Sequence, residues 1–327
     1  MTLTRREMLR RLAALTAGAV VLPAPLFGCA PGEERAMAPE RPDRDDTLVT
    51  DEDRERLEAW VGTLRLEGVR EGSFTPGEAA VRVGEKAAGT PYEAFTLEAY
   101  LRAGGSPVRT EPLTLSLTRF DCVSLVEACL AIARVARGPA ETGDELWEAF
   151  AREMERQRYR GGERGGYVTR LHYFSEWLAD GEARGLVRRI GADLGGMPDE
   201  RPLRFMSENR ESYPALADDR VLEEIAERER ALDALTRHVI PTARIDGVTD
   251  GIRSGDVVAF ATGIEGLDVS HAAFAYRDGG GVVRVLHAPL TGGVVEITDS
   301  TLRQYTARTR RSTGILVARP EWGPGVG

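Results

Sequence analysis

Cys122 is the residue best placed to act as a nucleophile. It follows Asp121 at the head of a long apolar run in which Val123, Val126, Leu130 and Ala133 recur at helical core spacing. Aspartate is a preferred N-cap, so the thiol is expected in the first helical turn, where the positive end of the helix favours a thiolate. Cys129 has no polar neighbour and reads as core; at 1.5 Å per residue it lies about 10 Å from Cys122 along the axis, too far for a disulfide. A cysteine nucleophile needs an imidazole to take its proton and a third polar group to orient that imidazole. His271 begins a strand whose Ala273 and Ala275 share its face, which leaves room for a helix to pack close above. His287 ends the next strand on the face of Val283 and Val285, beside His271. Cys122, His271 and His287 are therefore the candidates for nucleophile, base and orienting group.

The elements that must hold them are helical first and β-rich later. Thr50 and Asp53 cap a segment with Leu57, Trp60, Val61 and Leu64 at i, i+3, i+4, i+7, and Thr75-Pro76-Gly77-Glu78 is a capping box with proline at the first helical position. Gly89 is its expected stop. Further helices are expected over 121–137, 143–158, 168–179 and 219–237. After Ile240-Pro241 come short β-rich runs at 256–262, 271–277, 282–287, 293–298 and 313–318. Helices followed by strands imply an α+β fold with an antiparallel sheet, read as one domain over 50–320 with 321–327 as a tail. The glycine-dense stretch 161–166 is expected to be a mobile loop and the charged segment 223–230 a solvated helix face.

Composition narrows the chemistry. The 327 residues are 42% hydrophobic and 29% charged, which suits a globular protein and excludes a polytopic membrane protein. The net charge of −9 offers no general attraction for nucleic acid. Lys86 is the only lysine and sits in no phosphate-cradling GxxxxGK[ST] loop, so nucleotide hydrolysis of that type is excluded. Three cysteines and four histidines without CxxC or HExxH spacing leave no expected metal site, and no cofactor is called for.

Residues 1–29 read as an export signal. Arg5-Arg6-Glu7-Met8-Leu9 resembles a twin-arginine motif, the apolar run from Leu12 to Phe27 is too short and proline-broken to span a membrane, and Leu26-Phe27-Gly28-Cys29 resembles a lipobox. Cys29 is thus the expected lipidation site, with 30–49 a flexible tether, which places the protein in the bacterial envelope. Cleavage before Cys29 removes four arginines and one glutamate, a loss of +3 that takes the chain from −9 to −12.

The order Asp121-Cys122, Gly255-Asp256-Val257-Val258-Ala259-Phe260, Ser270-His271-Ala272-Ala273-Phe274 and Leu286-His287-Ala288-Pro289 resembles the NlpC-type papain-like cysteine hydrolases of bacterial cell walls. The segments Gly89-Thr90-Pro91-Tyr92, Arg119 to Glu127, Arg158-Tyr159-Arg160-Gly161, Arg170-Leu171-His172-Tyr173-Phe174 and Phe205-Met206-Ser207 resemble the N-acetylmuramoyl-L-alanine amidase-like branch. Ser124 and Leu125 stand where that branch usually has threonine and phenylalanine. The resemblance implies a papain-like α+β fold, a Cys122-His271-His287 triad and peptidoglycan-derived muramoyl peptides as substrates. It also implies that Tyr92 and Asp121 lie near the nucleophile and that Arg160, Arg170 and His172 line the substrate cleft. The expected activity is hydrolysis of the bond between muramic acid and L-alanine by a membrane-anchored monomer. Cleavage between D-glutamate and the diamino acid uses the same triad, and a catalytically silent wall-binding lipoprotein would keep the same fold.

Overall fold

The computed structural model describes residues 50–290 and 293–324. The export signal, lipidation site and tether read at 1–49 lie outside the described residues. Among the described residues, seven α-helices of a turn and a half or more form the α part: α1 (Asp51–Leu66), α2 (Pro76–Ala87), α3 (Cys122–Arg137), α4 (Gly143–Arg158), α5 (Phe174–Ala183), α6 (Asp219–Ala231) and α7 (Leu302–Arg308). The strands are β1 (Val187–Arg189), β2 (Met197–Asp199), β3 (Arg237–Pro241), β4 (Val257–Thr262), β5 (Val269–Arg277), β6 (Val283–His287), β7 (Glu296–Ile297) and β8 (Ser312–Pro320). They pair antiparallel in the order β2-β3-β8-β4-β5-β6-β7, with β1 on the far end of β8. The fold is α+β.

The capping residues form as the sequence dictates. Thr50 and Asp53 exchange side-chain to backbone bonds at the head of α1, and Asp53 Oδ1 also accepts the Leu117 amide at 2.6 Å. That buried carboxylate ties α1 to the segment leading into α3. Thr75 and Glu78 close the box on α2, whose Gly77 meets the backbone of Gly255. A Cβ on Gly255, which has φ +87°, would lie 2.1 Å from the Gly77 carbonyl carbon, so only glycine permits this approach of α2 to the start of β4.

Both faces of the sheet are buried. Val257, Ala259, Ala272, Phe274 and Leu286 face α1 to α4, where they meet Leu57, Leu125, Val126 and Phe150. Val258, Phe260, Ala273, Ala275 and Val285 face the other way, under Ile245 of the 3-10 segment Thr242–Gly251, Ile252 just after it and Leu302 of α7. Alternation along β5 therefore puts the His271 side chain on the face turned away from α3. The helix on the histidine side is α7, which the sequence reading did not include.

Several boundaries are corrected. The helix expected at 168–179 begins only at Phe174, so Arg170 and His172 lie in the preceding loop. The helix expected to reach residue 237 ends at Ala231, and Arg237 instead opens β3, paired with Asp199 across β2. The charged face of α6 is not wholly solvated, because Glu229 is fully buried and accepts from the Tyr173 hydroxyl at 2.6 Å and the Met206 amide at 3.0 Å. The glycine-dense loop is bonded in place: Glu111 N–H donates to Gly165 O at 2.8 Å and Tyr167 N–H to Pro107 O at 2.8 Å, and a Cβ on Gly166 would lie 2.8 Å from Pro107 O. Gly166 serves close backbone approach, while Gly161 and Gly162 take positive φ. Past Pro320, Trp322 packs against α3 beneath the Arg137 guanidinium, 4.7 Å from the ring centre.

Candidate active site

Asp121 caps α3 as its spacing predicts. Its Oδ1 accepts the amides of Val123 at 3.0 Å and Ser124 at 2.7 Å, and Ser124 Oγ accepts the Asp121 amide at 2.9 Å in return. The hydroxyl at position 124 thus completes a capping box. Cys122 is the first helical residue and is partly accessible, whereas Cys129 is buried; both are free thiols. The cap occupies the Val123 and Ser124 amides and leaves the Cys122 N–H beside its own sulfur. The Ala272 N–H also donates to that sulfur, which sets the thiol against the residue following His271.

The helix terminus does not make a resting thiolate. Burial, with the Asp121 charge adding to it, pushes the Cys122 thiol up to about 12, against the lowering effect of the Ala272, Cys122 and Val123 amides. Burial thus opposes the thiolate that the helix terminus favours. Burial, with His287 adjoining, takes His271 down to about 3, and burial takes His287 down to about 4. At neutral pH the resting site is a thiol beside two neutral imidazoles.

The two imidazoles are in contact. His271 Nε2 lies 2.9 Å from His287 Nδ1, with the rings nearly perpendicular and 5.0 Å between centres. One proton sits between those atoms. His271 Nδ1 has no hydrogen-bond partner among the described residues although it is buried, so it is the nitrogen free to receive a proton. Phe260 stacks on His271 at 5.5 Å, and Tyr305 of α7 stands edge-on to His287 at 4.8 Å with its hydroxyl 3.3 Å from His287 Nδ1. Burial raises the Tyr305 hydroxyl to about 12 and holds that of Tyr92 well above its ordinary value, with Cys122 close enough to both to add to the rise. Tyr92 is carried on an extended segment between Gly293 and Phe120: its amide donates to Gly293 O at 2.9 Å, and the Glu93 amide to Phe120 O at 2.9 Å. On the far side of His287, Glu296 Oε1 of β7 lies 3.5 Å from Nε2.

The other residues expected to line the cleft are committed elsewhere. Arg160 pairs with Glu176 at 2.7 Å and donates to Val168 O. Arg170 is buried between Glu98 at 2.7 Å and Glu111 at 3.4 Å, over the ring of Tyr167. Burial opposes its charge, and the two carboxylates more than offset that, so its guanidinium is held well above its usual range. His172 contacts Tyr167 O at 2.8 Å and packs on the Tyr167 ring. Burial and Arg170 keep His172 neutral. These three tie a loop together through carboxylates, backbone carbonyls and the Tyr167 ring.

Tyr305 and Glu296 are the groups that sequence reasoning missed. The Thr301-x-x-Gln304 capping box, which the structure shows at the head of α7, was the available signal for Tyr305. A cavity of about 400 Å³ lies apart from these residues, lined by Ser175, Leu178, Arg189, Arg237 and His238. Among the described residues no group of three or more histidine, cysteine or acidic side chains could hold a metal ion, and no helix is long and apolar enough to cross a membrane.

The model of the N-acetylmuramoyl-L-alanine amidase-like family matches residues 82–315, more than half of the chain and the whole of the site. The chain belongs to that family. Among solved structures, an N-acetylmuramoyl-L-alanine amidase from Bacteroides uniformis ATCC 8492 is 28% identical, with a TM-score of 0.67 over 75% of this chain and 99% of the other. A candidate xylanase from Bacteroides fragilis is 32% identical, with a TM-score of 0.64 over 72% of this chain and 98% of the other. A Legionella pneumophila protein at 18% identity and a TM-score of 0.58 shares the fold. No curated protein matches the chain. Family and neighbours make it an amidase-like hydrolase connected with peptidoglycan.

Proposed function

We propose that this amidase-like protein is a papain-like cysteine hydrolase of the NlpC type that cleaves the bond between the muramic acid lactyl group and L-alanine in peptidoglycan fragments. The observation that carries the reading is the unpartnered His271 Nδ1, backed through Nε2 by His287, on the strand whose Ala272 amide donates to the Cys122 sulfur at the head of a capped helix. His271 Nδ1 takes the thiol proton as sulfur attacks the lactyl carbonyl, so proton transfer accompanies bond formation instead of preceding it. The oxyanion meets the Cys122 N–H, the one amide of the first turn that Asp121 leaves free of the cap. His271 then passes the proton to the departing alanine nitrogen, and the free stem peptide leaves a lactyl thioester on Cys122. Water, deprotonated by His271, hydrolyses the thioester and restores the thiol. No cofactor enters this scheme.

Incubation of the protein with a small muramoyl peptide, followed by mass spectrometry, tests the bond. Free stem peptide is expected; L-Ala-D-Glu left on the muramic acid with the diamino acid released would replace this reading by an endopeptidase one. Xylan cleavage would need a pair of catalytic carboxylates. Asp121 is spent on the helix cap and Glu296 lies against His287, so the geometry favours acyl transfer.

The same reading includes an envelope location, with lipid on Cys29 as the membrane hold, 30–49 as tether and a monomeric body with no nucleic-acid partner. Cys29→Ser should move the protein from the membrane to the soluble fraction, and sedimentation with membranes after a salt wash would refute the lipobox.

A further inference from the structure

Two hydrogen-bonded imidazoles have two tautomeric arrangements, and only one of them can work. If His271 Nε2 carries the shared proton and donates to His287 Nδ1, His271 Nδ1 keeps its lone pair for the thiol proton, and His287 must carry its own proton on Nε2. If His287 Nδ1 carries it instead, His271 Nδ1 is already protonated and cannot act as a base. Nothing in the His271–His287 contact itself chooses between the two. The Tyr305 hydroxyl does not choose either, since at 3.3 Å from His287 Nδ1 it can donate or accept.

We propose that Glu296 selects the productive arrangement, as a positioning residue that acts through His287 on His271. The register of β6 and β7 sets Glu296 opposite His287 and brings Oε1 to 3.5 Å from Nε2. That is ion-pair distance, longer than a well-formed hydrogen bond, so the carboxylate acts through its charge. A negative charge there attracts an Nε2–H and repels an Nε2 lone pair, which stabilises the first arrangement against the second. His287 Nε2 has no other partner among the described residues, although it is buried. Among the described residues the titratable groups in contact with His287 are His271 from β5, Tyr305 from α7 and Glu296 from β7, and of these Glu296 is the carboxylate. When His271 gains the thiol proton, the same carboxylate opposes the positive charge shared by the pair. The proposal rests on the triad reading for its catalytic consequence but not for the tautomer.

The test uses Glu296→Gln, which keeps size and removes charge. Glu296 is half-exposed on a short edge strand, so the fold should tolerate the change. Nitrogen-15 NMR of the free protein is expected to show His287 protonated at Nε2 in the wild type, with the Nδ1–H form gaining in the variant. Exposed charge contacts of this kind change an equilibrium by about fivefold, and kcat on a muramoyl peptide should fall by a similar factor with KM nearly unchanged. Glu296→Asp should restore most of both. An unchanged His287 tautomer in Glu296→Gln overturns the proposal. A shifted tautomer in a protein that cleaves no muramoyl peptide upholds the positioning role and refutes the function instead.

Discussion

Replacing Asp121 by asparagine separates the two effects that meet at the nucleophile. Asparagine keeps the oxygen that accepts the Val123 and Ser124 amides, so α3 retains its cap and should lose no more than about 0.5 kcal/mol of charge–dipole stabilisation. The carboxylate charge, which helps hold the Cys122 thiol at about 12, disappears. Against an ordinary cysteine at 9.0, a thiol at about 12 has ~10³-fold less thiolate at neutral pH. Removing one nearby charge should return about one unit of that shift, hence roughly tenfold faster alkylation. Iodoacetamide labelling of Cys122, followed by intact-mass spectrometry from pH 6 to 10, reads the rate directly. The wild type should react slowly near neutrality, with a rate rising about tenfold per pH unit and no plateau, and Asp121→Asn should run parallel and faster. A wild-type plateau across pH 6 to 9 would mean that a thiolate–imidazolium pair already exists, and the neutral resting site argued above would be refuted.

Cys122→Ala and His271→Ala should each abolish turnover and the double variant should be no worse, since members of one catalytic unit are non-additive; Cys129→Ala, deep in α3, should keep kcat. Stability should fall as pH drops: the unfolded histidines take protons near 6.5 while His271 and His287 resist them down to about 3 and 4, so the unfolded state binds more protons across that window. Urea midpoints between pH 7 and 4.5 should fall less in His271→Asn/His287→Asn than in the wild type, and equal falls would remove the two histidines as the cause. Gly255→Ala should cost at least about 2 kcal/mol, because φ +87° and the Gly77 backbone both oppose a Cβ, and a midpoint near the wild-type value would show that α2 can give way. Arg170→Met should cost roughly 3–5 kcal/mol by leaving Glu98 and Glu111 without their buried partner, and a raised KM at wild-type stability would return Arg170 to the cleft.

The head of α3 was legible because its signal is local: aspartate before an apolar run determines where a helix starts and which residue comes first. Alternation likewise placed His271 and His287 on one face of neighbouring strands. What could not be read was which layer would cover that face, because the long apolar α3 and the seven-residue α7 compete for the sheet and only packing decides. The ion pairs of Arg170 were unreadable for a related reason, since its partners Glu98 and Glu111 stand dozens of residues away along the chain. β1 to β3 escaped notice because three- and five-residue strands complete a sheet edge without carrying a periodic pattern of their own.

The sheet with two buried faces divides the site between two packing layers. The helix that begins with Cys122 belongs to the large core of α1 to α4, while the histidine pair is covered by α7, whose own buried face is little more than Leu302 and Thr306. An element that small can open while the rest of the molecule stays folded, and amide hydrogen exchange should show α7 protected far less than α3. Each opening would let water and bulk protons reach the imidazoles, so in mild denaturant the protein should fall silent before it melts, with its thiol still seated at the end of an intact helix.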